Sequence, residues 1–281
     1  MPALRTAVSL TELLNPPTIQ IVNVGASEMP GISEPYEKLI DLGFAELTGF
    51  EPNSAELAKL RSDPRRRFLP QVVGAGEPAT FYETNHPWTG SLFEPDRSIV
   101  DRFVNLGVIS EVQARHAVST HKLDDLVPAM DFLKIDVQGA ELDVMKGAVR
   151  LLRDCVAIHT EVEFLPLYRN QPLFGDVDAF LREQGFFLHT IHSTMGRCLL
   201  PFIVNENPNK RTNQVLWGDV VYVRDFRQFS QMPSGQLRKL AVILNDIYGS
   251  ADFCLQILME LDRREGTSLE YAFLEMLPAA S

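Results

Sequence analysis

Cysteine is scarce in this chain. Cys155, Cys198 and Cys254 are the only three in 281 residues; they stand far apart and form no CxxC pair. That pattern implies neither a zinc site nor a disulfide framework, and it suits a reducing compartment. Positive charge is also in short supply. Against 37 Asp and Glu there are 26 Lys and Arg, a net charge of -11 and a pI near 5.0. A broad basic face for nucleic acid is therefore excluded. The one tight basic cluster, Arg65-Arg66-Arg67, reads as a solvated loop between a helix and a strand. Long apolar runs are missing, so no membrane span is expected. Met1-Pro-Ala-Leu-Arg5 lacks the apolar core of a secretory signal, and the expected location is the cytoplasm. No internal repeat or low-complexity run interrupts the chain.

What is present is ordinary for a globular protein: 45% hydrophobic and 22% charged residues. The length allows one large domain or one domain with an appendage. Strand and helix signals alternate from residue 19 to about 190, the pattern of βαβ units on a parallel sheet. Strands are expected at 19–24, 45–50, 68–73, 132–135, 156–161, 186–190 and 215–223, with short extra strands at 79–82 and 116–120. Helices are expected at 34–42, 54–60, 99–106, 140–152 and 176–184. The last strand follows a long irregular stretch and no helix, so it should return antiparallel beside the sixth. From Gln236 on, Leu237, Leu240, Leu244 and Ile247 recur at helical spacing, with further helical stretches near 253–261 and 269–277. Residues 1–225 are thus expected to form one domain and residues 226–281 a C-terminal helical extension, either packed on it or available for contact with a second subunit.

Open α/β sheets bind ligands beyond the carboxyl ends of their strands, and this chain carries polar groups at those ends. Asn23-Val-Gly25-Ala26-Ser27 closes the first strand. Gly25 lets backbone approach a ligand without a Cβ in the way. Glu51, with Pro52 and Asn53, closes the second strand 26 residues later; a carboxylate there can accept two ribose hydroxyls. Gly74 ends the third. The next glycine after Gly25 is Gly31, so the G-x-G-x-x-G fingerprint is absent and NAD is disfavoured.

Phe132-Leu-Lys-Ile-Asp-Val-Gln-Gly-Ala-Glu141 forms the fourth strand, its turn and the start of a helix. Lys134 and Asp136 share one face of that strand, as His159, Glu161 and Glu163 do on the fifth. Ionisable groups inside buried parallel strands are costly unless paired or used. Asp136, His159 and Glu161 are therefore the candidate catalytic residues, set against a structural ion pair such as Lys134 with Glu161. Glu141 reads as a helix cap. No spacing motif calls for a metal, and none is expected. Aromatic residues between 81 and 97 and the cations Arg197, Lys210 and Arg211 are candidate covers for a substrate.

The segment KIDVQGAE with Gly147-Ala148, the triplet Glu51-Pro52-Asn53, Thr89-Gly-Ser-Leu-Phe93 and Asn213-Gln-Val-Leu-Trp217 together resemble the FkbM-type S-adenosylmethionine (SAM)-dependent methyltransferases over about residues 19–223. The first glycine turn fits less closely, since Asn23 stands where the family usually has Asp. The resemblance implies a Rossmann-like class I methyltransferase fold, a seven-stranded and mostly parallel sheet with one antiparallel strand. It implies SAM as cofactor, held by Asn23, Gly25, Ala26, Ser27, Glu51, Pro52, Asn53, Gly74 and Asp136. The usual acceptor would be a hydroxyl on a small molecule, sugar or polyketide. The main alternative is a SAM-fold scaffold without catalysis that acts through its helical tail, and a homo-oligomer through that tail is a further expectation.

Overall fold

The structure, a computed structural model, describes residues 9–27 and 33–277. The Met1–Arg5 opening and the Glu28–Gly31 part of the first glycine turn lie outside the described residues. Among the described residues nine strands are seen: β1 Ile19–Val24, β2 Ala45–Phe50, β3 Arg66–Leu69, β4 Pro78–Thr84, β5 Val112–Ser119, β6 Phe132–Ile135, β7 Ala157–Glu163, β8 Phe186–Ile191 and β9 Trp217–Arg224. Seven form one sheet in the order β3-β2-β1-β6-β7-β9-β8, and β4 and β5 pair separately. The pairs β1–β2, β2–β3, β1–β6 and β6–β7 are parallel. β9 runs antiparallel to β7 and to β8. The expected mixed sheet is therefore present. The late strand pairs with β8 as its position suggested, and it also pairs with β7, filling the gap between them. The chain leaves β1 toward β2 and β3 on one side and returns to β6 and β7 on the other. In sheets of this kind ligands bind outside such a switch point, here beside the ends of β1 and β6.

Both sheet faces are covered, which is why β1 and β7 are buried along nearly their whole length. On one face Val22, Leu133, Ile135 and Ile158 pack with Leu142, Met145, Leu152 and Leu181 from helices between the strands. On the other, Ile19, Ile21, Phe132 and Val221 meet Leu39 and Ile40 and also Leu237, Leu240, Leu244, Leu258 and Leu261. The helical spacing after Gln236 is thus a core-facing stripe. Helices Ser234–Asp246, Ala251–Glu265 and Leu269–Met276 supply much of the layer on that face. Lys239 ties the first of them to the sheet through Asp131 at 2.7 Å, and the same Asp131 oxygen accepts the Gln20 N–H at 2.7 Å.

Several local expectations change. β3 begins at Arg66, inside the basic cluster read as a solvated loop. Arg66 is buried, with Glu37, Asp41 and Asp63 around its guanidinium at 2.5, 2.6 and 2.8 Å. After Leu69 the chain leaves β2, and Val73 bridges only to His121. The helix expected at 140–152 is two, Glu141–Lys146 and Val149–Leu152. Between them a Cβ on Gly147 would stand 2.3 Å from the Gly74 carbonyl oxygen. The helix at 99–106 is likewise two short ones, Arg97–Val100 and Leu106–Ile109. Among the described residues no helix is long and apolar enough to cross a membrane.

Candidate active site at the strand ends

Three chain segments meet where β1 ends. The Gly25 and Ala26 N–H groups both donate to the Phe50 carbonyl at 3.0 Å, which pins the first turn to the end of β2. The Asp136 N–H donates to the Val24 carbonyl at 3.0 Å, which pins the turn after β6 to β1. Gly25 has φ of +81°, and a Cβ on it would lie 1.9 Å from the Asp136 carbonyl oxygen. Only glycine fits there. Beside this turn Ser27 Oγ donates to Glu51 Oε2 at 2.6 Å, and the Asn53 N–H donates to Glu51 Oε1 at 2.7 Å. Asn23, buried on β1, donates to the Tyr36 hydroxyl at 2.7 Å, while its Oδ1 has no partner among the described residues.

The second part of the site is acidic. Gln138 adopts φ of +56°, which turns its side chain back over the strand end. Its amide nitrogen donates to Asp136 Oδ1 at 2.8 Å and to Glu161 Oε2 at 2.9 Å. The Gln138 carbonyl is held in turn by Ser91 Oγ at 2.6 Å. Glu141 accepts the N–H groups of Val137 and Gly139 at 3.0 and 3.1 Å, so it does close the turn as expected of a cap. It also belongs to a buried group: one carboxylate oxygen each from Glu141, Glu161 and Glu163 lie within 4.8 Å of one another. Burial pushes the Glu141 carboxyl up to about 7. Burial, then the charges of Asp136, Glu163 and Glu141, raises Glu161 well above the usual carboxylate range, and burial, then Glu141 and Asp136, does the same to Glu163. Carboxylates crowded together and short of water bind protons tightly. Three hard oxygen donors this close could also hold a divalent cation.

A third set lines the same edge. Register places Asn23, Lys134 and His159 side by side across β1, β6 and β7, and Glu161 opposite Asp219 of β9. Lys134 pairs with Glu34 at 3.5 Å, where a pair with Glu161 was the expected structural reading. Burial lowers the Lys134 pKa, but Glu34, Asp136, Asp219 and Glu161 outweigh that and hold it above the ordinary value. His159 is buried, with the Tyr248 hydroxyl 2.9 Å from Nδ1 and Asp219 Oδ1 3.8 Å from Nε2.

The structure thus brings Gly25, Ala26, Ser27, Glu51 and Asp136 around one turn, with Asn23, His159 and Glu161 along the adjoining strands. Pro52 and Asn53 continue from Glu51, both exposed; Asn53 Oδ1 accepts the Ala55 N–H at 2.9 Å as a helix cap. Gly74 sits apart from this network, bonded to the His121 carbonyl and packed against Thr120. Of the candidate covers, Phe93 joins a small core with Phe103 and Tyr168, whereas Ser91 from the same loop reaches the Gln138 turn. Arg197 stacks on the Trp217 ring at 5.2 Å, and Arg211 donates to Thr194 Oγ1 at 2.8 Å. Sequence reasoning did not pick out Gln138, Asp219, Glu34 or Tyr248. Gln138 lay in plain view inside KIDVQGAE, but the other three arrive from remote segments that no local pattern joins.

The family model described as the methyltransferase FkbM domain matches residues 30–188. Similar solved structures include a methyltransferase FkbM from Methylobacillus flagellatus KT, 15% identical with a TM-score of 0.37 over 73% of this chain and 43% of that one. A putative methyltransferase from Thermoplasma acidophilum is 12% identical with a TM-score of 0.32, covering 75% of this chain and 70% of that one. LepI in complex with SAH and a substrate analogue is 10% identical with a TM-score of 0.33, covering 80% and 49%. The chain therefore spans less than half the length of the first and third of these. No curated protein matches the chain.

Proposed function

The chain belongs to the FkbM methyltransferase family, and from that premise we propose that it is a SAM-dependent O-methyltransferase acting on a hydroxyl of a small molecule, sugar or polyketide-like acceptor. The observation that carries this reading is the joining of two features at one strand edge: the Gly25–Ser27–Glu51 turn and the Asp136–Gln138–Glu161 bridge.

The residues suit SAM on three counts. Gly25 lets the turns after β1 and β6 close on each other, which sets Ser27 and Glu51 beside Asp136. Glu51 presents a carboxylate to ribose hydroxyls, with Ser27 as the partner it would release or share. The unpartnered Asn23 Oδ1 is a buried acceptor for an ammonium group. SAM, when bound, supplies a methyl carbon on a sulfonium that an oxygen nucleophile can attack in line.

The chain's own residues have two tasks in that reaction. One is alignment, since methyl transfer depends on holding nucleophile and methyl group in register. Asp136 and Glu161, fixed by the Gln138 amide, are acceptors that can hold an acceptor hydroxyl. The other is removal of its proton. Asp136 and Glu161, side by side on the Gln138 amide, are the carboxylates placed to receive it. His159 orients this edge from the neighbouring row.

Calorimetric titration with SAM and with S-adenosylhomocysteine (SAH) tests the cofactor. Absence of binding to both at millimolar concentration sinks the proposal. Asp136→Ala should reduce turnover at least as strongly as SAM affinity. SAM binding with no methyl transfer to a broad panel of glycans, lipids and small hydroxyl compounds would favour the scaffold reading, whose motive is Asn23 in the place of an acid.

A further inference from the structure

Both ring nitrogens of His159 face a specific partner. Nδ1 lies 2.9 Å from the Tyr248 hydroxyl and Nε2 lies 3.8 Å from Asp219 Oδ1. The other Asp219 oxygen accepts Ser193 Oγ at 2.6 Å. Tyr248 packs edge-on against Phe132 and against His192, with ring centroids 6.4 and 5.8 Å apart. His192 is itself edge-on to His159 at 5.4 Å. Lys134 neighbours His159 in register, and Glu34 reaches the same space from the segment after β1. Tyr248 comes from the turn between the C-terminal helices Ser234–Asp246 and Ala251–Glu265, well beyond the matched residues 30–188.

A neutral imidazole carries one proton, and the partners decide where it sits. With the proton on Nδ1, that nitrogen would donate to Tyr248, and the Nε2 lone pair would be turned toward the Asp219 carboxylate, acceptor against acceptor. With the proton on Nε2, Tyr248 donates to Nδ1 and the Nε2–H points at Asp219. Burial pushes Asp219 up, but its contacts with His159 and Ser193 outweigh burial and hold it below the ordinary value, so it remains an anion. Burial, followed by the charges of Asp219 and Glu34, raises the Tyr248 phenol well above its usual range, so it keeps its proton to donate.

We infer that Tyr248 is a positioning residue of this strand edge: its hydroxyl holds His159 in the Nε2–H tautomer facing Asp219, so a residue of the C-terminal helical segment helps to set the site. His159 then has no free lone pair. Its Nε2–H faces the Asp219 carboxylate across 3.8 Å, and the acceptor's proton goes to a carboxylate. The statement about the acceptor's proton rests on the methyltransferase reading above; the tautomer does not.

Two-bond proton–nitrogen NMR on the full chain with 15N-labelled histidine, at pH 8, tests this directly. His159→Gln assigns the signals by their disappearance. The expected spectrum has His159 Nε2 protonated and Nδ1 at the shift of a hydrogen-bonded acceptor nitrogen. Tyr248→Phe retains the ring against Phe132 and should move the Nδ1 resonance toward that of a tautomer mixture. An unchanged Nδ1 resonance in folded Tyr248→Phe overturns the inference. So does a proton on Nδ1 in the unmodified protein, which decides the matter even where Tyr248→Phe fails to fold. The readout needs neither SAM nor turnover, so the expected spectrum without any methyl transfer counts against the proposed function and leaves this inference standing.

Discussion

Gly25 and the carbonyl of Asp136 occupy adjoining space: a Cβ on the one would stand 1.9 Å from the oxygen of the other. Gly25→Ala therefore carries two penalties. The left-handed backbone, φ of +81°, costs an L-residue roughly 1–2 kcal/mol, and the overlap must push the turns after β1 and β6 apart. A lower melting temperature is expected, together with at least tenfold weaker SAH binding by calorimetry. Full-strength binding would mean that this turn does not carry the cofactor.

Glu51→Gln separates charge from shape. The amide keeps an oxygen for the Asn53 N–H but loses the anion that Ser27 and a ribose would share. Hydrogen bonds to a charged group contribute about 1.5–3 kcal/mol, so SAH affinity should fall by roughly 10- to 100-fold. The melting temperature should move far less than in Gly25→Ala.

The glutamate group makes stability depend on pH in a definite direction. Burial pushes the Glu141 carboxyl up to about 7 in the folded chain from its ordinary value of 4.5, and Glu161 and Glu163 are raised too. Between those values the folded state binds more protons than the unfolded one, so stability falls as pH rises from about 4.5 to about 7. Urea unfolding at pH 5 and pH 8 measures the slope. Glu163→Gln should flatten it and add roughly 1–2 kcal/mol at pH 8, because one buried like charge is gone. An equal effect at both pH values would contradict this account.

Cutting the chain after residue 225 tests how far the C-terminal helices are separable. Leu237, Leu240, Leu244, Leu258 and Leu261 are fully buried in the core that also holds Ile19, Ile21 and Phe132. At about 1.5–3 kcal/mol for each large apolar side chain, their loss rivals the whole net stability of a domain, about 5–15 kcal/mol. The truncated chain should be insoluble or should lack a cooperative melting transition. A soluble fragment with native melting would make residues 226–277 a detachable appendage.

Much of this was legible because burial and turn chemistry are local. β1, β2, β6 and β7 announce themselves as apolar runs closed by Gly25, Glu51, Asp136 and the His159–Glu161 alternation. Leu237, Leu240 and Leu244 announced the helix, while their spacing left open whether it packs on the domain or meets a second subunit. What stayed hidden depends on partners distant in the chain. Arg66 looked solvated because the three carboxylates that bury it lie at 37, 41 and 63. Lys134 was matched with Glu161 on a neighbouring strand, although Glu34 is the anion that meets it. The insertion of β9 between β7 and β8 sets Asp219 opposite Glu161, and nothing near residue 161 foretells that.

The position of β9 also orders assembly in time. Among the described residues β8 has no hydrogen-bonded neighbour in the sheet except β9. On the ribosome, β8 (ending at Ile191) is made before β9 (ending at Arg224), and at about 5–20 residues per second the interval is some seconds. During that wait β7 has an open edge and β8 has nowhere to dock. An apolar strand left unpaired is a template for other chains, so a nascent chain ending between residues 192 and 224 presents the open edge of β7 to mispairing.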